Sequence, residues 1–476
     1  MKHFTNYWLK GGAILMSVLA LNLLSCEDLE LDTRGELAAE EFFSSVEDIE
    51  SGTLGVYSVL SDKILANSEN YCHLWAADDR TTLTGSNKGF FIEYDTLEPE
   101  PTNVWQNNGW RQWYTIIGAA NTFLDNEERM EGIVAGGNEE LLSRSLGEVR
   151  FLRALAYFEI VRTWGEVPLL TSAENVTGEE PASSIQEIYD VIISDLIFAK
   201  NNLGPEPVNG IYRADFWMAQ SLLANVYLFS AGFPLNNTSN YALAAAEAKN
   251  VIDNGPYDLV FDYANGFGSA DVNLSANGNP EAVIAFPANP QLDGWNAGNF
   301  EAETIGFDDK WVEFAFYEAF PEGRRKEFTF DEDPDNARPR YSAAKFGPQD
   351  FLANRDIKYF RFAELLLIHA EAQIRASGND SDQSGLESLN RVRERAGLDP
   401  VESATWEDVV WEKAWETAGE WSRWYDIVRT ETLEEVKAMR SPIDNALTPL
   451  GNEITEQDPF APLPANDVSA NPNLSN

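Results

Sequence analysis

Apolar positions recur at helical spacing along most of this chain. From Ser145 to Thr163 (SLGEVRFLRALAYFEIVRT) they fall at Leu146, Val149, Leu152 and Ala156, with Leu155 and Phe158 widening the stripe, before Gly165 and Pro168 stop the helix. Similar stretches predict helices at about 185–203, 213–231, 241–254, 356–377, 384–396 and 406–430. Several follow one another as pairs. In DFWMAQSLLANVYLFSAG and NYALAAAEAKNVIDNG the small residues Ala219, Ala224, Ala245 and Ala248 allow close approach, while Leu223, Tyr227 and Val251 fill the seam.

That pair is similar to a tetratricopeptide-type hairpin, although the strict period of about 34 residues is not kept. Between the helices the composition changes. Residues 255–355 are rich in Gly, Asn, Pro, Asp and aromatics, with a strand-like run EAVIAF at Glu281–Phe286. A second irregular stretch, 75–110, carries Trp75, Phe90, Phe91, Tyr94, Trp105 and Trp110, the last two read as preceding a helix and stapling it. The fold class expected is mainly α: tetratricopeptide-like helical pairs with a large irregular, loop-rich face and a few short strands.

The first residues read as a targeting segment. Lys2 and Lys10 precede an apolar run, Gly11–Leu24, of about 14 residues, shorter than the roughly 20 that a spanning helix needs. Leu23-Leu24-Ser25-Cys26 resembles the bacterial lipobox, which implies cleavage after residue 25 and a diacylglycerol on Cys26. Several acyl chains together would hold the mature chain firmly to a membrane. Lipidation of Cys26 leaves Cys72 as the other cysteine, so neither a disulfide framework nor a thiolate metal cluster is expected.

The charge balance, 34 Lys plus Arg against 78 Asp plus Glu, gives a formal net of −44 spread along the chain. No basic stripe is present to track phosphates, so nucleic acid is excluded as a partner, and neutral ligands are favoured over anionic ones. The histidines, His3, His73 and His369, lie far apart and give a Ser-His-Asp or metal-dependent mechanism little to work with. The acidic run Asp331–Asn336 (DEDPDN) lacks the spacing of a calcium loop and reads as a solvated turn. No cofactor or metal is expected.

Four segments carry a family resemblance. Phe151–Leu170 (FLRALAYFEIVRTWGEVPLL), Lys358–Ala376 (KYFRFAELLLIHAEAQIRA) followed by LNRVRERAGL at Leu389–Leu398, WEKAWETAGEWSRWYDIVRT, and the C-terminal FAPLPANDVSANPNLSN together resemble the RagB/SusD family. The resemblance covers nearly the whole mature chain. It implies a signal peptide at 1–25 and one SusD-like domain at 26–476, with helical repeats and ligand loops in 26–340 and a RagB/SusD part from about 341. It further implies a surface-exposed lipoprotein of the outer membrane that captures glycans for a SusC-like TonB-dependent transporter, without enzymatic activity. The acids Glu27, Asp28, Glu30 and Asp32 after Cys26 look like a surface-export signal for such lipoproteins. Capture of peptides is the alternative reading, and a surface glycoside hydrolase the rival from another class.

The charged residues of those segments, Arg153, Arg361, Glu364, Glu371, Arg423, Asp426 and Arg429, lie on helices whose apolar content marks them as internal, so buried ion pairing is their expected role. For ligand contact, exposed aromatics beside polar side chains are the better candidates. A sugar presents C–H faces that stack on an indole and hydroxyls that bond Asn, Asp or Arg. Trp75 with Asp78 and Arg80, Trp295 with Asn296 and Asn299, and Trp311 have that chemistry.

Overall fold

The computed structural model describes residues 42–60, 68–82, 89–206, 212–263, 278–286, 311–331, 339–341, 345, 357–420 and 422–474, and from Ser45 onward they form one unit. Helix α1 (Val46–Val59) starts at Ser45, whose hydroxyl accepts the Asp48 N–H while the Asp48 carboxylate accepts the Ser45 N–H, satisfying two orphan donors at once. After a 3-10 segment at Ser68–Ala76 come α2 (Gly89–Asp95), α3 (Val104–Leu124), α4 (Glu127–Val134) and α5 (Glu139–Trp164). From Ser145 to Trp164 every residue of α5 except Arg150 is buried, because this helix is covered on all sides. Helices α6 (Ile185–Asn202), α7 (Phe216–Ala231) and α8 (Asn240–Asn254) follow. The rest are α9 (Phe314–Ala319), α10 (Arg324–Thr329), α11 (Phe362–Ser377), α12 (Gln383–Ala396), α13 (Trp406–Glu416), α14 (Arg423–Thr430), α15 (Leu433–Met439), α16 (Pro442–Leu447) and α17 (Ala465–Ala470).

The packing order follows the chain. Helix α3 packs on α5, α5 on α6, α6 on α7, α7 on α8, α8 on α11, and α11 on both α12 and α13. The α7–α8 seam is as its small residues dictate: Ala219, Ala224, Ala245 and Ala248 are all at most 3% exposed. Gly232, just past α7, lies so close to the Arg429 carbonyl that a Cβ there would collide with it.

Among the described residues there are three antiparallel two-stranded ladders: β1 (Val167–Pro168) with β2 (Ala182–Ser183), β3 (Ala282–Phe286) with β6 (Ile357–Arg361), and β4 (Phe330–Asp331) with β5 (Arg340–Tyr341). They correct the sequence reading at one point, since 357–361 is a strand and α11 begins only at Phe362. The segment IKYFR is rich in β-formers, and its partner AVIAF is buried at every position, so pairing the two backbones satisfies groups that water does not reach. The expected helix at 406–430 is likewise two helices, broken at Gly419, whose φ is 77°. The stretch 75–110 is more helical than expected, and Trp105 and Trp110 lie inside α3 rather than before it.

Replacing Ala248 by Leu should overpack the α7–α8–α11 seam and cost about 1–3 kcal/mol. Urea unfolding followed by circular dichroism should show a lower midpoint with an unchanged slope; an unchanged midpoint would mean that the seam has spare room.

Candidate functional site

Two of the ladders gather the ends of the irregular segments. Thr81 and Trp311 exchange backbone hydrogen bonds of 2.9 Å each, Trp311 bridges Arg340, and Arg340 pairs with Asp331. The points where 83–88 departs, 287–310 returns, 332–338 departs and 342–344 departs therefore lie side by side. On the other ladder Phe286, where 287–310 leaves, pairs with Ile357, where 346–356 returns. Both ends of the segment carrying Trp295, Asn296 and Asn299 are thus fixed, while those three residues lie outside the described ones, as do Cys26 and 332–336 of the acidic run.

The floor under these roots is the turn between α13 and α14. The left-handed Gly419 directs its N–H to Asp79 Oδ2 at 2.8 Å, and its carbonyl and that of Glu420 accept from Arg80. Arg423 grips Asp78 through two bonds of 2.6 and 2.7 Å. From the other side Tyr341 donates to the Asp79 carbonyl, and Lys345 donates to the Ala418 carbonyl at 2.6 Å and pairs with Glu420 at 3.1 Å. Burial pushes the Asp79 carboxyl up and the Lys345 ammonium down, which marks how dry this floor is.

Deeper still lies an ionic knot centred on Arg361, which is 1% exposed. It contacts Glu281 at 3.0 Å, Glu416 at 3.2 Å and Glu420 at 2.6 Å. Arg395 pairs with Glu281 and, at 2.6 Å, with Glu416, while Arg325 reaches Glu416 at 3.3 Å and Glu412 at 2.7 Å. Burial alone would raise the Glu416 carboxyl, yet Arg395, Arg361 and Arg325 overcome it and hold the group down to about 2.

Two further buried networks tie this knot to the helices. Arg429 binds Glu371 at 2.6 and 2.7 Å and Asp426 at 2.7 Å, while Lys413 joins Asp426 at 3.1 Å and Glu364 at 3.0 Å, so α11, α13 and α14 share charges. Glu159 of α5 accepts from Arg162, Tyr359 and Tyr425, and the Tyr425 hydroxyl lies 2.8 Å from His73 Nε2. Burial pushes His73 down to about 3, so it is neutral, and the neighbouring Cys72 thiol is buried against Gln106 at 3.2 Å. Arg153 joins α5 to α6 by a bidentate pair with Asp195, at 2.8 and 2.9 Å. Each of the seven charged residues expected to act inside the fold is buried and paired across elements.

The candidate ligand residues that are described are buried in the floor, which corrects the expectation that they stand on an exposed face. Trp75 is 2% exposed and stacks on Phe91 at 3.8 Å, and Trp311, also 2% exposed, is a rung of the root ladder. Asp78 and Arg80 spend their hydrogen-bonding groups on Arg423 and on the 419–420 carbonyls. The reason is local: loop roots need an apolar plug beneath them, and an indole there is removed from solvent. Glu281, Arg325, Lys345 and Arg395 were missed: Glu281 is marked only as the acid that opens the apolar run EAVIAF, and Arg325 in GRRKEF, Lys345 in SAAKFG and Arg395 in LNRVRERAGL stand in mixed sequence with no such mark.

Helical pairs over an ionically locked floor define the scaffold of the described residues. The SusD family pattern matches residues 350–476, and one described as "Starch-binding associating with outer membrane" matches 4–228. A SusD-like protein of Bacteroides ovatus is 25% identical over 466 residues, spanning 88% of this chain and 82% of the relative. Among solved structures, a SusD homolog from Bacteroides thetaiotaomicron superposes with a TM-score of 0.76 at 20% identity, covering 93% of this chain and 98% of the other. Surface glycan-binding protein A from Bacteroides uniformis gives 0.73 at 21% identity, covering 90% and 98%. The chain belongs to the RagB/SusD family.

Two predictions follow from the locked floor. Arg361→Met leaves Glu281, Glu416 and Glu420 without their shared cation and should cost about 3–5 kcal/mol at pH 7. Because Glu416 is held at about 2, its contribution is present above its ordinary 4.5 and lost as pH falls towards 2, so the gap between wild type and variant should narrow over that window. A pH-independent gap in urea unfolding would refute the ionic account. His73 adds to the acid sensitivity in the same direction, through burial rather than ion pairing. Below its ordinary 6.5 the unfolded chain takes a proton that the folded one refuses, so stability is lost from pH 6.5 towards 3 by up to about 1.4 kcal/mol per unit. His73→Gln should flatten that slope, and an unchanged slope would place the acid sensitivity elsewhere.

Proposed function

We propose that this chain is a surface lipoprotein, anchored through Cys26 in the outer membrane. In this reading it captures neutral oligosaccharide or polysaccharide and passes it, chemically unchanged, to a SusC-like TonB-dependent transporter. The observation that carries this reading is the placement of the residues flanking 287–310: Phe286 pairs with Ile357 and Trp311 with Thr81, so the stretch of sequence bearing Trp295, Asn296 and Asn299 begins and ends at fixed points of the frame. Those side chains combine a stacking face with amide donors and acceptors, which suits a sugar ring and its hydroxyls. The family description names starch binding and outer-membrane association, and the Bacteroides uniformis neighbour is named for glycan binding. The net charge of −44 agrees with a neutral ligand. Tethering adds to the effect, since a binder held above a pore raises local ligand concentration without tight affinity.

A non-enzymatic role also fits the floor. The buried carboxylates Glu281, Glu412, Glu416 and Glu420 each face at least one cation, which makes them struts rather than proton donors. No helix among the described residues is long and apolar enough to cross a membrane.

Intrinsic tryptophan fluorescence of the chain from residue 27, titrated with neutral and anionic oligosaccharides and with peptides, tests this reading. At least one neutral glycan should give a saturable shift, and Trp295→Ala should raise its Kd ten-fold or more, equivalent to about 1.4 kcal/mol. Response to peptides alone would replace glycan capture by peptide capture, and release of new reducing ends from a bound glycan would replace it by hydrolysis.

A further inference from the structure

Two residues beyond the Trp311 rung, Glu313 lines a small pocket together with residues of α2 and α15. The pocket measures about 10 Å³, room for at most one water, and its apolar wall includes Trp75, Leu97, Leu433 and Val436. Glu313 is 1% exposed. Its Oε1 accepts from Arg440, while its Oε2 is buried with no hydrogen-bond partner among the described residues. A carboxylate oxygen left bare in a dry wall is costly, because nothing replaces the water it gave up.

The charged groups around Glu313 offer that oxygen no cation. Arg440 turns its remaining donors to Asn445 at 3.3 Å and to the Thr448 carbonyl and hydroxyl at 2.7 and 3.0 Å. Lys437, also on α15, pairs outward with Glu434 at 2.8 Å. The other neighbours are acids. Asp78 and Asp95 line the same pocket, and Asp444 of α16 accepts the Phe314 and Ala315 N–H groups at 3.0 and 3.1 Å. Burial pushes the Glu313 carboxyl well above the ordinary carboxylate range; Arg440 opposes this, and Asp95, Asp444 and Asp78 add to it.

We propose that Glu313 carries a proton on Oε2 in the folded chain and shares it with Asp95, forming a pH-sensitive clasp on the Thr81–Trp311 ladder. Asp95 is already tied to one side of that ladder, since its Oδ2 accepts the Thr81 hydroxyl and the Thr82 N–H at 2.9 Å each. Glu313 continues the other side. One proton between the two carboxyl groups removes their repulsion, turns the bare oxygen into a donor and joins both sides of the root. The sign follows from the raised carboxyl. The clasp is complete below the ordinary 4.5 of a glutamate and is lost as pH rises from there through the higher value of the folded chain.

The test is hydrogen exchange of the Thr81 and Trp311 amides in the full chain in mild detergent, without ligand, each rate divided by its intrinsic value at that pH. The range lies above pH 6.5, where His73 is neutral whether folded or not. Protection in the wild type should fall with rising pH, by up to about ten-fold per unit. Glu313→Gln keeps the shape and the donor of the protonated acid, so it should fold, show no slope and exceed the wild type at high pH. Asp95→Asn should weaken the slope as well. Infrared difference spectra of wild type against Glu313→Gln at neutral pH should show one protonated-carboxyl band that the variant lacks. A wild type without slope or band, or a Gln variant less protected at every pH, describes an ionised Glu313–Arg440 pair and overturns the clasp. A slope that survives in Glu313→Gln belongs to another acid such as Asp79, whose carboxyl burial also raises, and overturns it too. Because no ligand is used, either failure leaves the glycan-capture reading untouched.

Discussion

Three glutamates from two distant stretches of chain share one guanidinium. Glu281 precedes β3, Glu416 ends α13 and Glu420 sits in the turn beyond it, and all three meet on Arg361 at the junction of β6 and α11. A buried knot of this kind adds little over a well-packed apolar core, because dehydrating the ions offsets most of their attraction. Its effect is on uniqueness. An apolar junction tolerates sliding by a residue, whereas here a slip of β3 against β6 would strand Glu281 or Arg361 without a partner in a dry interior, so one register is admitted.

That register fixes where the loops begin. Arg80, Asp78 and Asp79 are pinned to 419–423, Lys345 and Tyr341 to the same turn, and β3 to β6, so the irregular segments depart from points that the helical frame determines. Rigid roots reduce the ordering that a binding loop must undergo when it meets a ligand. They also separate two tasks. The charged motif secures the frame, and under the proposed function recognition falls to the segments beyond it.

The helical part was legible because its signals are local: the stripe from Leu146 to Phe158, the alanines of the α7–α8 seam, and charges set in apolar helices that require partners. What sequence did not show is which partners. Arg423 finds Asp78 and Arg429 finds Glu371 across hundreds and dozens of residues respectively, and no periodicity encodes such pairings. The same gap explains the misplaced tryptophans. Trp75 and Trp311 stand in polar, loop-like sequence, yet tertiary pairing through Thr81 turns that stretch into a covered ladder. IKYFR read as helix because α11 follows without a break, and only its non-local partner AVIAF makes it a strand.

The ionic interior also shapes the surface. Arg153, Arg361, Arg395, Arg423 and Arg429 are buried against carboxylates, so these cations are consumed inside the fold and are unavailable to grip an anionic ligand. The buried charges largely neutralise one another, so among the described residues the acidic excess lies on the surface. A surface of that kind cannot draw ligands by attraction of opposite charge unless they are basic. On the proposed function, recognition of a neutral glycan would come instead from stacking and from hydrogen bonds to hydroxyls, both short-ranged and little affected by salt. A frame that spends its arginines on holding loop roots, and leaves aromatic and amide side chains to the segments they carry, is suited to that kind of recognition.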